Sequence, residues 1–251
     1  MNPCGGPVRV TFLGTGDAFS ANGSHQAGYL IQGADTSVLL DAGAGLLAAM
    51  RRLDLDPGVV DLVLISHLHG DHFCGVPFLL LDYLYNTRRH RPLRIAGPPG
   101  TARRVLDVFR NLYGSWEEKQ PAFSLQFTEL QPEHAVDIAG VGVNPFEVPH
   151  QDTELSLGLC VALAGRRILY SGDTGWTERL VERSHDTDLF ICECSFFETR
   201  VPTHLDYPRI AEHRARFGTR RLILTHLGRE VHARRADIDA ELAYDGLRVE
   251  L

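Results

Sequence analysis

The sequence predicts an α/β chain built as two β-sheets packed face to face with helices outside, a four-layer αββα arrangement. Short apolar runs of strand length come in two batches, each followed by segments of helical periodicity. Turn-forming Gly and Pro residues punctuate the runs. Several runs end directly on a His or an Asp, and the strand ends along one side of a sheet form a common rim for active sites.

The first batch opens with Val8 to Leu13, closed by Gly14-Thr15-Gly16. A dinucleotide-binding loop there would need a third glycine where Phe19 stands, so that chemistry is set aside. Tyr29 to Gln32 and Ser37 to Leu40 flank the turn-like Gly33-Ala34-Asp35. Ala44 to Leu53 is predicted helical, Leu62 to Ile65 a buried strand, His72 to Leu84 a helix and Leu93 to Ala96 a strand. Pro98-Pro99-Gly100 opens a further helix in which Val105, Leu106, Phe109 and Leu112 recur at helical spacing. The second batch comprises Phe123 to Leu130, Val141 to Val148, Leu155 to Leu163 and Arg167 to Tyr170. A helix around Thr177 to Arg183, a strand Leu189 to Cys192, a helix Tyr207 to Phe217 and a strand Leu222 to Leu224 follow. Ala233 to Leu242 is expected to be helical, and Leu247 to Leu251 to close a sheet edge. No repeat or low-complexity segment divides the chain, so residues 1–251 are read as a single domain.

Of 251 residues, 44% are apolar, enough for a sizeable core. Acidic residues outnumber basic ones, 32 to 25, and the formal charge of −7 disfavours long nucleic acids as partners; a small-molecule substrate is expected. The five cysteines, Cys4, Cys74, Cys160, Cys192 and Cys194, are odd in number and irregular in spacing, which argues against a disulfide framework. Cys192 and Cys194 alternate on a strand around Glu193 and read as small buried residues. With no signal-peptide pattern and no long apolar run, a cytoplasmic protein without a membrane span is expected.

The chemistry gathers in Ser66-His67-Leu68-His69-Gly70-Asp71-His72, directly after the strand Leu62 to Ile65. His67 and His69 are two apart, so extended chain projects them the same way. Asp71 and His72 stand where the next helix begins, turned toward a second position. One zinc ion needs about four ligands. This segment supplies four, and other runs lead into His150, Asp173 and His226. Alone, each of those three reads as a surface, turn or capping residue; beside the 67–72 cluster they become candidates for a two-metal site. His25, His90, His134, His185, His213 and His232 are read as surface or loop residues.

The run His67-Leu-His69-Gly-Asp71-His72, with His150, Asp173 and His226 in order, resembles the ligand motifs of the metallo-β-lactamase superfamily. Asp41, in Leu39-Leu40-Asp41-Ala42-Gly43, resembles its first motif, an aspartate supporting the site from behind the ligands. Three features are similar to the ribonuclease Z and phosphodiesterase branch: the opening Phe12-Leu13-Gly14-Thr15-Gly16, Asp173 where many β-lactamases carry cysteine, and Thr203-His204-Leu205-Asp206 before His226. The resemblance implies that His67, His69 and His150 hold one metal, that Asp71, His72 and His226 hold the other, and that Asp173 joins both. It implies two divalent ions, zinc first, with manganese or iron suited to the same donors. It implies His204 as general acid, Asp71 as an aid in deprotonating water, and a homodimer as the assembly.

Ribonuclease Z carries a long arm between the third-motif histidine and the aspartate. Here His150 and Asp173 are only 23 apart, and a β-hairpin is expected between them. The cysteine-bound structural zinc of the phosphonate-pathway phosphodiesterases has no counterpart, since only Cys4 precedes Cys74. The activity expected is hydrolysis of a small or cyclic phosphodiester. A ribonuclease Z-like endonuclease, a thioester or lactone hydrolase and a non-catalytic metal-binding protein are the alternatives.

Overall fold

A computed structural model describes residues 6–251; Cys4 lies outside the described residues. The first half of the chain forms β1 (Arg9–Gly14), β2 (Gly28–Gln32), β3 (Ser37–Leu40), β4 (Leu62–Leu64), β5 (Leu93–Gly97) and β6 (Leu125–Glu129). The second half forms β7 (Val136–Ile138), β8 (Val141–Glu147), β9 (Leu157–Leu163), β10 (Arg166–Tyr170), β11 (Leu189–Glu193), β12 (Leu222–Thr225) and β13 (Glu241–Leu242). The last strand, β14 (Arg248–Glu250), returns to pair antiparallel with β1, completing two seven-stranded sheets.

Strand alternation builds the layers, because successive side chains point to opposite faces. In β4, Leu62 and Leu64 face the second sheet and meet Leu159, Val161, Ile168 and Ile191 in a core between the sheets. Val63, between them, faces outward with Ile95 against α1 (Leu46–Arg52), α3 (Gly75–Tyr85) and α4 (Thr101–Tyr113), which cover the first sheet through Met50, Leu79 and Phe109. A short α2 (Gly70–Phe73) precedes α3. On the other side Phe190, Cys192 and Leu224 face Leu180 of α5 (Arg179–Ser184), Ile210 of α6 (Tyr207–His213) and Val231 of α7 (Arg229–Ala233). The αββα layering read from the sequence is therefore the observed one, except that β6, grouped with the second batch, pairs with β5 in the first sheet; Cys192 and Cys194 are buried as expected.

Strand direction positions the site. Strands β3 to β6 run parallel, as do β10 to β13. Strand β8 is antiparallel to β9, which is antiparallel to β10, so β8 also points with the latter set. The carboxyl ends of β3, β4, β8, β10, β11 and β12 thus deliver their following residues to the site. A β9–β10 hairpin fills the interval between His150 and Asp173, turning at Ala164-Gly165.

Several expectations are corrected. The continuous helix predicted from His72 to Leu84 starts at Gly70 and breaks at Cys74. A fresh helix beginning at Gly75 puts Pro77 in its first turn, where a missing N–H costs nothing. Leu112, placed on the apolar face of α4, is 49% exposed, whereas Val105 and Phe109 are fully buried. The Tyr207–Phe217 helix ends at His213 and tightens into a 3₁₀ turn over Arg214–Arg216. The tail is not the predicted helix: α7 stops at Ala233, a 3₁₀ turn covers Arg235–Asp237, and Leu242 pairs with Leu224 as a parallel strand. Burial of Leu242 against the second sheet overrides local helical preference there. The three-residue edge strand β7 was too short to see in the sequence.

Candidate metal centre

The structure brings all seven predicted ligands to one rim. His67, His69 and His150 form one group of converging donor atoms, and Asp71, His72, Asp173 and His226 form another. Within the first, His69 Nδ1 lies 3.1 Å from His67 Nε2 and 3.0 Å from His150 Nε2. Asp173 lies between the groups, its Oδ2 at 3.3 Å from His72 Nε2, 3.4 Å from His226 Nε2 and 3.9 Å from His67 Nε2. Asp71 Oδ2 is 3.2 Å from His72 Nε2 and 3.4 Å from His226 Nε2.

Local backbone conformation aims these groups. Asp173 follows Gly172, at φ +59°, where a Cβ would stand 2.6 Å from Leu157 O, so glycine alone fits the turn out of β10. Asp41 and His226 also hold positive φ, at 52° and 54°.

A polar layer behind the rings sets their tautomers. Asp41, fully buried, accepts from Ser66 N–H, the Ser66 hydroxyl, the Tyr170 hydroxyl and His72 Nδ1–H, each at 2.7 Å. Because the Ser66 hydroxyl already donates to Asp41, it accepts from His67 Nδ1–H, 3.0 Å away. By the same logic Ser195 donates to Glu193 Oε2 at 2.7 Å and accepts from His226 Nδ1–H at 2.9 Å. His150 Nδ1–H donates to Thr203 O at 2.9 Å. These four imidazoles therefore each hold a proton on Nδ1 and turn Nε2 to the centre, the orientation that outer hydrogen bonds impose on metal-binding histidines. Burial holds His67 well below the usual histidine range, hence neutral.

The centre fits metal ions on chemistry and on accounting. Its donors are imidazole nitrogens and carboxylate oxygens. Two of its buried atoms, His72 Nε2 and Asp173 Oδ1, have no hydrogen-bond partner, a cost that native proteins rarely leave uncompensated.

His204, on the loop before α6, joins the same rim. Its ring lies 4.8 Å from that of His150 and 5.8 Å from that of His226, nearly parallel to the latter. His204 Nδ1–H donates to Glu193 Oε1 at 3.0 Å. Burial pulls its pKa down, but the Glu193 hydrogen bond and charge outweigh this and hold it up at about 9. Glu193 is itself 1% exposed and also accepts from Thr174 N–H at 2.6 Å. Glu193, Ser66, Ser195 and Tyr170 were not singled out from the sequence. The available signal for Glu193 was phase: it continues the inward set of β11, Leu189 and Ile191, at the strand end.

Fold and site together define the class: the chain has the metallo-β-lactamase fold. It matches the Bacillus subtilis metallo-β-lactamase fold protein YhfI with a TM-score of 0.78 at 21% identity, over 96% of this chain and 99% of that one. It matches human tRNase Z, short form (ELAC1), with a TM-score of 0.79 at 24% identity, over 96% and 98%. More narrowly, the chain belongs to the family described as Anti-Pycsar protein Apyc1, which matches residues 8–242. Among its relatives, protein ML1173 of Mycobacterium leprae (strain TN) is 31% identical over 250 residues, covering 95% of this chain and 84% of that one.

Proposed function

We propose that the protein is a dinuclear metal-dependent phosphodiesterase acting on a small or cyclic phosphodiester. The observation that carries this reading is His204, hydrogen-bonded to a buried carboxylate and set against the rings of two candidate ligands. Such a group is a proton donor poised for an alkoxide leaving group.

His67, His69 and His150 would hold one ion, and Asp71, His72 and His226 the other, with Asp173 shared. Zinc suits this donor set, as do manganese and iron. A bound pair of divalent ions supplies charge stabilisation for a phosphoryl group and a nucleophile from water at neutral pH. The chain's own residues do the rest. Asp71 takes the proton from the attacking water. His204 gives its Nε2 proton to the leaving oxygen, while Glu193 stabilises the cationic ring through Nδ1–H. Asp41, Ser66, Ser195 and the Thr203 carbonyl keep the ligand imidazoles in one tautomer, so that no reorganisation is needed during turnover.

A small substrate is supported by the β9–β10 connection, which turns at Ala164-Gly165 and carries no long arm, and by the net charge of −7. Metal analysis combined with a panel of phosphodiester, thioester and lactone substrates tests the reading. Metal-dependent cleavage of phosphodiesters in preference to the other two is expected. Preferential thioester or lactone cleavage, or full metal loading with no hydrolysis, overturns it.

A further inference from the structure

Beside His204 opens a cavity of about 370 Å³ whose lining includes Trp176, Arg200, Pro202, Asp206 and Arg209. Among the described residues neither guanidinium has an ion-pair or hydrogen-bond partner. Asp206, the carboxylate in the same lining, is engaged as the N-cap of α6, accepting from the backbone N–H of Arg209 at 2.9 Å. The loop leading to Arg200 is fixed rather than loose: Glu230 of α7 accepts from the backbone N–H groups of Phe197, Glu198 and Thr199 at 3.0, 2.7 and 2.9 Å. Two guanidinium groups and one carboxylate, a net positive lining, border a space beside the proton donor.

A neighbouring cavity has the opposite sign. Trp176 and Pro202 also line a second cavity of about 630 Å³, which reaches His150 and presents Glu147 and Asp152. Neither carboxylate has an ion-pair partner among the described residues. Arg179 lies there too, but its guanidinium is paired with Glu133 at 2.6 Å. The candidate centre thus has a cationic lobe on the His204 side and an acidic lobe beyond Trp176, an arrangement that orients an asymmetric substrate. Guanidinium is the side chain best matched to phosphate oxygens.

We propose that Arg200 and Arg209 bind a second phosphate carried on the leaving arm of the phosphodiester, so that the preferred substrates are phosphodiesters bearing an additional terminal phosphate. This rests on the phosphodiesterase reading above, since His204 marks which arm leaves.

The test compares the metal-loaded protein on bis(4-nitrophenyl) phosphate, the dinucleotide ApA, and its terminally phosphorylated forms pApA and ApAp. One of the two phosphorylated dinucleotides is expected to exceed ApA in kcat/KM by about tenfold or more. In the Arg200→Ala/Arg209→Ala variant that ratio falls to near unity, and in Arg200→Lys/Arg209→Lys part of it is retained. A binding readout stands beside the kinetics. In chelator-treated protein the favoured dinucleotide is expected to change Trp176 fluorescence at lower concentration than ApA, with Trp176→Phe identifying the signal against the protein's other tryptophan, Trp116. Aryl diester cleavage with equal kcat/KM for all three dinucleotides overturns this inference alone, as does a ratio unchanged in a double variant of wild-type circular dichroism. No cleavage of any phosphodiester removes the phosphodiesterase reading and this inference with it.

Discussion

At the scale of single residues, the centre is governed by which nitrogen of each imidazole carries the proton. Asp41, Ser66, Ser195 and the Thr203 carbonyl each engage an Nδ1 and leave an Nε2 facing inward. Removing such a partner costs about 10–100-fold in metal affinity. Asp41→Ala is therefore expected to weaken metal binding by that amount, measured by competition with a chromophoric chelator; unchanged affinity contradicts the role assigned to Asp41. In the proposed mechanism His204 acts differently, on the reaction rather than on metal retention. His204→Ala is expected to lower kcat on an alkyl phosphodiester by about 10²–10⁴ while metal content stays at the wild-type level. The loss on an aryl ester is smaller, because a nitrophenolate leaves without a proton. Equal activity of wild type and variant on the alkyl ester excludes His204 as the acid. In that mechanism Glu193 would set the pH range of the acid. A donor works while protonated, so with His204 at about 9 the rate is held below that pH and falls as pH rises through it. Glu193→Gln removes the anionic partner, lowers the His204 pKa and moves this alkaline fall to lower pH. A profile that does not move separates Glu193 from the proton donor.

At the scale of elements, burial decides more than local propensity. Phe109 of α4 is fully buried against the first sheet and packs edge-on to Tyr113 and Trp116 at 5.4 and 5.2 Å between ring centroids. Phe109→Ala is expected to cost about 3–5 kcal/mol of unfolding free energy, read from urea denaturation; a loss below about 1 kcal/mol contradicts its place in that core. The same principle separates what was legible in the sequence from what was not. Strands such as Ser37–Leu40 and Leu222–Thr225 are continuous apolar runs, and buried parallel strands announce themselves in that way. The candidate ligand positions were legible for a related reason, since each strand end has one exit and the residue just past it lands on the rim. The tail was not legible, because β13 is two residues long and exists only through pairing with β12. The break at Cys74 left a trace in Pro77, but a proline near the start of a helix signals either a beginning or a kink. Glu193 and Ser195 were hidden among apolar and small neighbours in Cys192-Glu193-Cys194-Ser195, with nothing local to show that His204 and His226 would come to meet them.

At the scale of the molecule, the two sheets are what make the centre possible. The 67–72 loop belongs to the first sheet, and His150, Asp173 and His226 belong to the second. Their donors meet only when the inter-sheet core is closed, so binding at the centre and packing of the sheets are coupled. A metal at 100 times its dissociation constant stabilises the folded state by about 2.7 kcal/mol for one site. Chelation is therefore expected to lower the melting temperature, and added divalent metal to restore it; a melting temperature indifferent to chelator contradicts this coupling. Among the described residues no helix is long and apolar enough to cross a membrane. The central claim is that side chains from both sheets enclose a pair of cations. Mass-spectrometric metal analysis of the purified protein tests it most directly. Two divalent ions per chain in the wild type, falling to one or fewer in Asp173→Ala, is the predicted result. A correctly folded wild-type protein that takes up no transition metal, even when supplied in excess, would contradict it.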